Sequence, residues 1–418
     1  MTPLPSLIEL GERAKAAARR LALASTADKN AALHAAADML VDRGGDVLNA
    51  NAEDIARAEQ ASTPATAVDR LRLTPARIEG MSSGLRQVAA LPDPVGEVID
   101  GWRRPNGLRI TRVRVPLGVV AIIYENRPNV TSDAAGLCLK SGNAAFLRGS
   151  SSALRSNRAV VGLLRRAAVK AGLPEDAVAL VEDPSHETAV AFMQLRGRID
   201  CLIPRGGPAL IASLVEHATV PYVLDGDGNC HLYVDRAADL VMAHDIAVNA
   251  KTHRFGVCNA VETILVQRDV AGRFLPGLAS SLAAAGVEVR GDERVRAVLP
   301  DAVPATEDDF AREFLAPVVA IGVVDDVAAA MEHIARYSSG HSEAIVTADL
   351  ATAERFVAEV DAAAVLVNAS TRFVDGEELG LGAEVGISTQ KLHARGPMGV
   401  RELTTLKWVV RGEGQVRR

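Results

Sequence analysis

VPLGVVAIIYENRPNVTSDAAGLCLKSGNAAFLRGS, residues 115–150, carries the pattern that sets the fold class. Residues 119–124 form a short apolar run rich in β-branched side chains, 129–140 have helical character, and 144–147 are a second apolar run. The same alternation continues to either side. Residues 177–181, 199–203 and 220–224 are further strand-like runs, separated by helical stretches at about 152–171, 186–196 and 208–217. Strands alternating with helices of this length imply a parallel sheet with helices on both faces, whose ligand site lies at the carboxyl ends of the strands.

The part at about 245–385 repeats the style. VETILV (261–266), APVVAIGVV (316–324) and AAVLVN (363–368) are strand-like, with helices around 268–285, 325–336 and 350–360, which makes a second α/β domain. LRITRVRVP (108–116) alternates apolar with basic side chains, as a strand with one wet face does, and such a strand suits contact with a neighbouring subunit. TTLKWVV (404–410), with charged edges, suits pairing across a subunit contact. Near the start, Leu33, Ala36, Ala37, Leu40 and Val41 recur at helical spacing after the capping candidates Ser25 and Thr26, and Gly44-Gly45 stops the pattern.

Bulk properties narrow the class. A chain of 418 residues exceeds what one core organises, so two or three domains are expected. Hydrophobic residues at 48% and charged residues at 23% are those of an ordinary globular protein. A net charge of -6 argues against a nucleic-acid surface, which needs clustered basic charge. No run of about 18 apolar residues offers a membrane span. In MTPLPSLIELGERAKAAARR the basic residues follow the apolar stretch, the reverse of a secretory signal. Four cysteines without C-x-x-C spacing make no zinc site, and a reducing cytoplasm is the natural location.

Among those cysteines only Cys258 has the setting of a nucleophile. It lies in NAKTHRFGVCNAVET (249–263), a glycine-containing turn preceded by Lys251, His253 and Arg254, and nearby positive charge favours a thiolate. A small buried hydrophobe at a helix end fits the same local sequence. Cys138, in AAGLCLK, and Cys201, in IDCLIP, have apolar surroundings; Cys230 and His231 are adjacent on a strand and point to opposite faces, a poor dyad. Asn126, in the turn after the first strand, can aim an amide at developing oxyanion charge, or can be an ordinary turn asparagine. Gly206 and Gly207 lie between a strand and a helix, where backbone can approach a pyrophosphate, although Gly-Gly is also a plain turn. No G-x-G-x-x-G follows the first strand. Arg148, followed by Gly149, Ser150 and Ser151, makes a donor-rich corner suited to a phosphate, or a solvated strand end.

The order of these segments, with DCLIPRGG (200–207), GNCHLYVD (228–235), EFLAPVVAI (313–321), SGHSEAIVT (339–347) and GLGAEVGISTQKLHARGPMG (380–399), resembles the aldehyde dehydrogenase superfamily over nearly the whole chain. The likeness is to its branch acting on glutamyl phosphate. The resemblance implies an α/β, aldehyde dehydrogenase-like fold: two parallel-sheet α/β domains plus a small β oligomerisation element. Residues 1–107 and 120–244 would be the NADP-binding domain, 245–390 a catalytic domain carrying Cys258, and 108–119 with 391–418 the oligomerisation strands. It further implies an NADPH-dependent reduction of L-glutamyl 5-phosphate to L-glutamate 5-semialdehyde and phosphate, a step of proline biosynthesis, in a cytoplasmic homo-oligomer fed by glutamate 5-kinase. Neither nucleic acid nor membrane would be a partner, and no metal would take part.

By the same resemblance Cys258 is the nucleophile, and Asn126 with the Cys258 amide holds the thiohemiacetal oxygen. Arg148 stands where a lysine contacts the adenosine ribose, and Glu313 where a glutamate bonds the nicotinamide ribose. Gly206 and Gly207 occupy the pyrophosphate loop, and Ser150 is a further cofactor contact. Ser151 stands where NAD-preferring relatives carry Glu, so the 2'-phosphate of NADP(H) meets no repulsion beside Arg148. Arg127, His231 and Arg254 are the candidates for the substrate carboxylate and phosphate. Two positions depart from the superfamily pattern: Phe255 replaces a proline before Cys258, and Leu224, next to Asp225, stands where hydrolytic members have a general-base Glu. The competing readings are an enzyme that oxidises another aldehyde to an acid, and a non-catalytic binding protein.

Overall fold

A computed structural model describes residues 6–417; the notional starts and ends of the first and last expected segments, residues 1–5 and Arg418, lie outside the described residues. In chain order the strands of the first half are β1 (Val98–Arg103), β2 (Arg109–Pro116), β3 (Val119–Tyr124), β4 (Ala144–Gly149), β5 (Val178–Leu180), β6 (Cys201–Arg205), β7 (Cys230–Val234) and β8 (Val261–Gln267). They are followed by β9 (Glu288–Gly291), β10 (Val303–Pro304), β11 (Val318–Val324), β12 (Ser342–Val346), β13 (Ala364–Val367), β14 (Ile387–Ser388), β15 (Gly396–Pro397) and β16 (Thr404–Arg411). The chain packs as two compact units. The first runs to Leu224 and includes Gly380–Gly386 and the chain from Met398; the second is Asp225–Leu379 with Ile387–Pro397.

In the first unit, the helix Thr26–Asp42 is capped by Ser25, whose side chain accepts from the Asp28 amide. Leu33, Ala36, Ala37 and Leu40 are buried, whereas Val41 is exposed. One residue beyond Leu40, it is turned 100° off the apolar stripe. Gly44 does more than end this helix, since it opens the next one, Gly44–Gln60. The four-stranded parallel sheet has the order β5-β4-β3-β6. All six residues of β3 are buried, so the sheet is covered on both faces, as the apolar run requires. The strand order reverses between β3 and β6, which is where such sheets bind ligands.

The strand expected at 220–224 does not form. Pro221 has no N–H to give a ladder, and the segment makes only an isolated bridge, with Leu202 N donating to Pro221 O at 2.9 Å and Val223 N to Leu202 O at 3.0 Å. The antiparallel sheet has the order β1-β2-β16, and β16 pairs with β2 of the same chain along its whole length, Thr404 opposite Pro116 through Arg411 opposite Arg109. Its third member, β1, has no clear strand signature, because Asp100 and Gly101 interrupt it; Gly101 is needed, since a Cβ there would lie 2.8 Å from Ile110 O.

The second unit holds a seven-stranded parallel sheet, order β10-β9-β11-β8-β7-β12-β13. β7 is hydrogen-bonded between β8 and β12. The boundary expected at 244 therefore falls at Leu224/Asp225, because β7 belongs to the second sheet. Likewise residues 391–397, expected among the oligomerisation strands, lie in the second unit, where β14 and β15 form a short antiparallel pair. The helices Arg268–Ala284, Val327–Tyr337 and Leu350–Glu359 stand where the apolar periodicity puts them. No described helix is long and apolar enough to cross a membrane.

Candidate active site

At the switch point of the first sheet, β3 ends at Tyr124 and the chain turns through Glu125 and Asn126. Asn126 has φ of 45°, a left-handed conformation that asparagine tolerates better than most residues. Its Oδ1 accepts from Ser152 Oγ at 2.5 Å and Ser150 Oγ at 3.4 Å, and its amide N donates to Ser150 Oγ at 3.3 Å. The serines thus hold the carbonyl end of the side chain, and the NH2 end is on the other side. Ser150 acts here through Asn126. Ser151 is exposed, and so is Arg127.

Across the switch point, Gly206 and Gly207 link β6 to the helix Pro208–His217. A Cβ at Gly206 would lie 2.6 Å from Glu125 Oε2 and 2.7 Å from Leu210 Cδ2, so a larger residue there would have to displace those side-chain ends. Gly207 N donates to Glu125 Oε2 at 3.0 Å, placing an anion at the helix N-terminus, where the helix dipole favours one. Arg148, at the end of β4, donates through Nη2 to the carbonyls of Pro184 and Ser185, both at 2.9 Å. Its Nε is buried with no hydrogen-bond partner among the described residues. Burial lowers the Arg148 pKa, opposed by Asp183 and Glu125.

In the second unit Cys258 lies in the turn between the helix Leu240–Thr252 and β8, and is half-buried. The other three thiols are buried: burial pushes Cys201 up to about 12, and it raises Cys138 and Cys230 well above the ordinary thiol range. The pairing of β7 with β8 is irregular between Cys230 and His231, and their side chains have different partners, Cys258 and His341 for Cys230 and Glu343 for His231. Cys230 Sγ donates to Cys258 O at 3.1 Å, so it braces the Cys258 turn. A Cβ on Gly228 would collide with that same carbonyl, so the chain passes there only as glycine. Gly228 N donates in turn to Glu313 Oε1 at 2.9 Å. Burial raises the Glu313 pKa, with Asp227 and Asp225 adding to it. Phe255, in place of a proline, packs against the apolar core of this unit and gives the turn an anchor of a different kind.

Three substrate candidates fare differently. Arg254 is exposed in the turn before Cys258. Arg127 is exposed in the first unit. His231 is wholly buried, its Nδ1 3.1 Å from Glu343 and its ring edge-on to His333, so it is a core residue of β7 and not a substrate contact. Lys251, counted among the cations near the thiol, is spoken for by Glu262 at 2.5 Å, both fully buried. The cation missing from the sequence reading is Arg372, whose Nε donates to His253 Nδ1 at 3.3 Å. Asp225 Oδ1 accepts from Ile387 N at 2.8 Å. Among the described residues no group of three His, Cys, Asp or Glu is placed to hold a metal ion.

Residues 8–296 and 288–409 match the sequence pattern of the aldehyde dehydrogenase family, and the chain belongs to that family, whose members are oxidoreductases using a nicotinamide cofactor. It is 56% identical over 407 residues to the gamma-glutamyl phosphate reductase of Moorella thermoacetica, covering 97% of both chains. With the gamma-glutamyl phosphate reductase of Caldanaerobacter subterraneus the identity is 52%, over 97% of this chain and 98% of the other. The crystal structure of gamma-glutamyl phosphate reductase from Thermotoga maritima matches with a TM-score of 0.97 at 48% identity, covering 99% of this chain and 100% of that one.

Proposed function

We propose that this enzyme, like the relatives named gamma-glutamyl phosphate reductase, acts on L-glutamyl 5-phosphate, reducing it to L-glutamate 5-semialdehyde with NADPH, a step from glutamate toward proline. The observation that carries it is Cys258. It is the half-buried thiol of the four, held by Cys230 and Gly228, with Arg254 before it in its turn. The Cys258 thiolate attacks the C5 carbonyl, the C–O bond to phosphate breaks, and phosphate leaves with the electron pair, giving a thioester. Bound NADPH supplies the hydride that this carbonyl takes up. By the family resemblance the Asn126 amide would be the donor for the oxygen that then carries negative charge, and collapse of the thiohemiacetal returns the thiolate and releases the aldehyde.

The first unit is the nucleotide-binding domain in this reading, and the second is the catalytic one. The residues fit a dinucleotide: Gly206 leaves a Cβ-free approach, Gly207 N–H already holds an anion, and Arg148 has an unpartnered buried Nε beside Ser150 and Ser151. Gly206 and Gly207 would hold the pyrophosphate, Arg148 the 2'-phosphate of NADP(H), and Glu313 the nicotinamide ribose. The Glu125 carboxylate occupies the amide a pyrophosphate would use. Glu125→Gln should therefore tighten NADPH binding about two- to fivefold, the worth of one charge at a helix N-terminus. A fluorescence titration showing unchanged or weaker binding would remove that competition.

The sheet β1-β2-β16 has two free edges and exposes Trp102, Trp408 and Val410, and we assign it to contact between copies of the chain in a cytoplasmic homo-oligomer. A kinase acting on glutamate supplies the acyl phosphate. The test of the reaction is phosphate dependence in the direction of semialdehyde oxidation. Leu224, at the position of the general-base Glu of hydrolytic relatives, is no base, and the neighbouring Asp225 already accepts from the Ile387 amide, so that position offers water no free carboxylate of the usual kind. Without phosphate or arsenate, oxidation should stop after about one NADPH per active site, the trapped thioester. Steady NADPH formation under those conditions would favour an aldehyde dehydrogenase that hydrolyses its acyl-enzyme.

A further inference from the structure

Residues 371–374 are fastened to the nucleophile's own turn. Thr371 Oγ1 donates to Asn259 O at 2.7 Å, and Asn259 Nδ2 donates to Val374 O at 2.9 Å and Arg372 O at 3.5 Å. Asn259 follows Cys258 directly, so these bonds carry Arg372 to the nucleophile's side. The Arg372 Nε–H donates to His253 Nδ1, which orients the guanidinium and keeps that imidazole nitrogen an acceptor. Nη1 and Nη2 make no hydrogen bond among the described residues, and neither Arg372 nor the exposed Arg254 has an ion pair among them. Burial is the chief influence lowering the Arg372 pKa; Arg254 adds to it, while Asp375 and Cys258 oppose it.

We infer that Arg372, together with Arg254, is the site for the phosphoryl group of the acyl phosphate, and for inorganic phosphate when the reaction runs in reverse. The inference rests on the reaction proposed above. The phosphoryl group is joined through one oxygen to the carbonyl that Cys258 attacks, so it must lie beside the sulfur. The amino-acid end lies several bonds away and is a zwitterion, whose ammonium two guanidinium groups would repel. A phosphate dianion is matched by two guanidinium charges, and the planar Nη fork suits its oxygens. Forward, Arg372 stabilises the charge on phosphate as the C–O bond breaks. In reverse, a phosphate oxygen attacks the thioester carbon, the C–S bond breaks, and the electron pair returns to Cys258. The alternative is that Arg372 only fastens its turn to His253.

Arg372→Gln, Arg372→Lys and Arg254→Gln should be compared with the parent enzyme from L-glutamate 5-semialdehyde and NADP+, first without phosphate and then across a phosphate series. In Arg372→Gln the phosphate-free burst of about one NADPH per site should persist, the phosphate KM should rise about tenfold or more, and the NADP+ KM should move less than about twofold. Arg372→Lys, retaining the charge without the fork, should fall between. If Arg372→Gln does not fold, Arg254→Gln, at an exposed position, must raise the phosphate KM by about threefold or more. An unchanged phosphate KM, or a burst lost in a folded variant, would overturn the assignment while leaving the reaction standing. Parent turnover indifferent to phosphate would overturn both.

Discussion

Cys258→Ala is expected to lose essentially all turnover, roughly 10⁴- to 10⁶-fold, while its thermal unfolding and its NADPH binding stay close to those of the parent. The covalent route ends with the sulfur, since the other three thiols are buried and their pKa values are pushed up by burial. The fold should not notice. Cys258 is half-buried on a turn whose geometry is held by its backbone: Cys230 Sγ on its carbonyl, and Asn259 beside it bonded to residues 371–374. Activity within tenfold of the parent, after titration to exclude carry-over of unmutated enzyme, would refute the nucleophile. So would a collapse of stability with activity lost in proportion, which would make Cys258 a packing residue.

The largest stability effect is expected at Lys251. Lys251 Nζ lies 2.5 Å from Glu262 Oε2 with both side chains fully buried, and Glu262 Oε1 also accepts from Leu315 N at 3.1 Å. Leu315 has φ of 51°, so that amide bond helps hold an unfavourable backbone conformation. Lys251→Met leaves a buried carboxylate without its cation, and breaking such pairs costs about 3–5 kcal/mol. The loss should depend on pH in a definite direction. Burial already pushes Glu262 up to about 7 with the lysine present. Without the lysine the folded-state pKa stands further above the unfolded one, so the folded state binds the extra proton and stability rises as pH falls. Urea unfolding at about pH 8 and about pH 6 should show the deficit shrinking at the lower pH. A deficit below about 1 kcal/mol, or one that grows on acidification, would show that the pair does not bear on stability as argued. Lys251→Met with Glu262→Leu should recover much of the loss, because it removes both charges from the core. Activity should fall further than stability. Glu262 holds the Leu315 amide, and the same segment carries Glu313, which in turn holds Gly228 under Cys258.

Much of this molecule is written locally. The apolar run of β3, the helix after it and the run of β4 give a crossover unit whose sheet is parallel, and the glycines after β6 mark a helix N-terminus. Those properties follow from chain periodicity and from which residues tolerate a turn, and neither depends on distant partners. Cys258 is legible for the same reason, because a glycine turn rich in cations is a local feature. What failed was whatever depends on the neighbour. Residues 220–224 have strand composition, but Pro221 gives no amide to a ladder. β7 looked like part of the first domain until its pairing with β8 and β12 placed it in the second.

His231 and Arg372 show the limit from both sides. On the sequence His231 is a polar residue near a cysteine, and Lys251 a cation near a thiol; burial turns the one into a core partner of Glu343 and the other into a partner of Glu262. Arg372 is 119 residues from His253, and no pattern in the chain connects them. The sequence by itself determined most of the elements, the parallel sheets and the local setting of the proposed nucleophile, since these are set by side-chain period and by the backbone freedom of a few residues. Only the tertiary structure decided which charges stand beside that thiol. A side chain's type states what it can bond to, whereas packing alone selects, from residues far apart in the chain, the partner that leaves no buried charge unmatched.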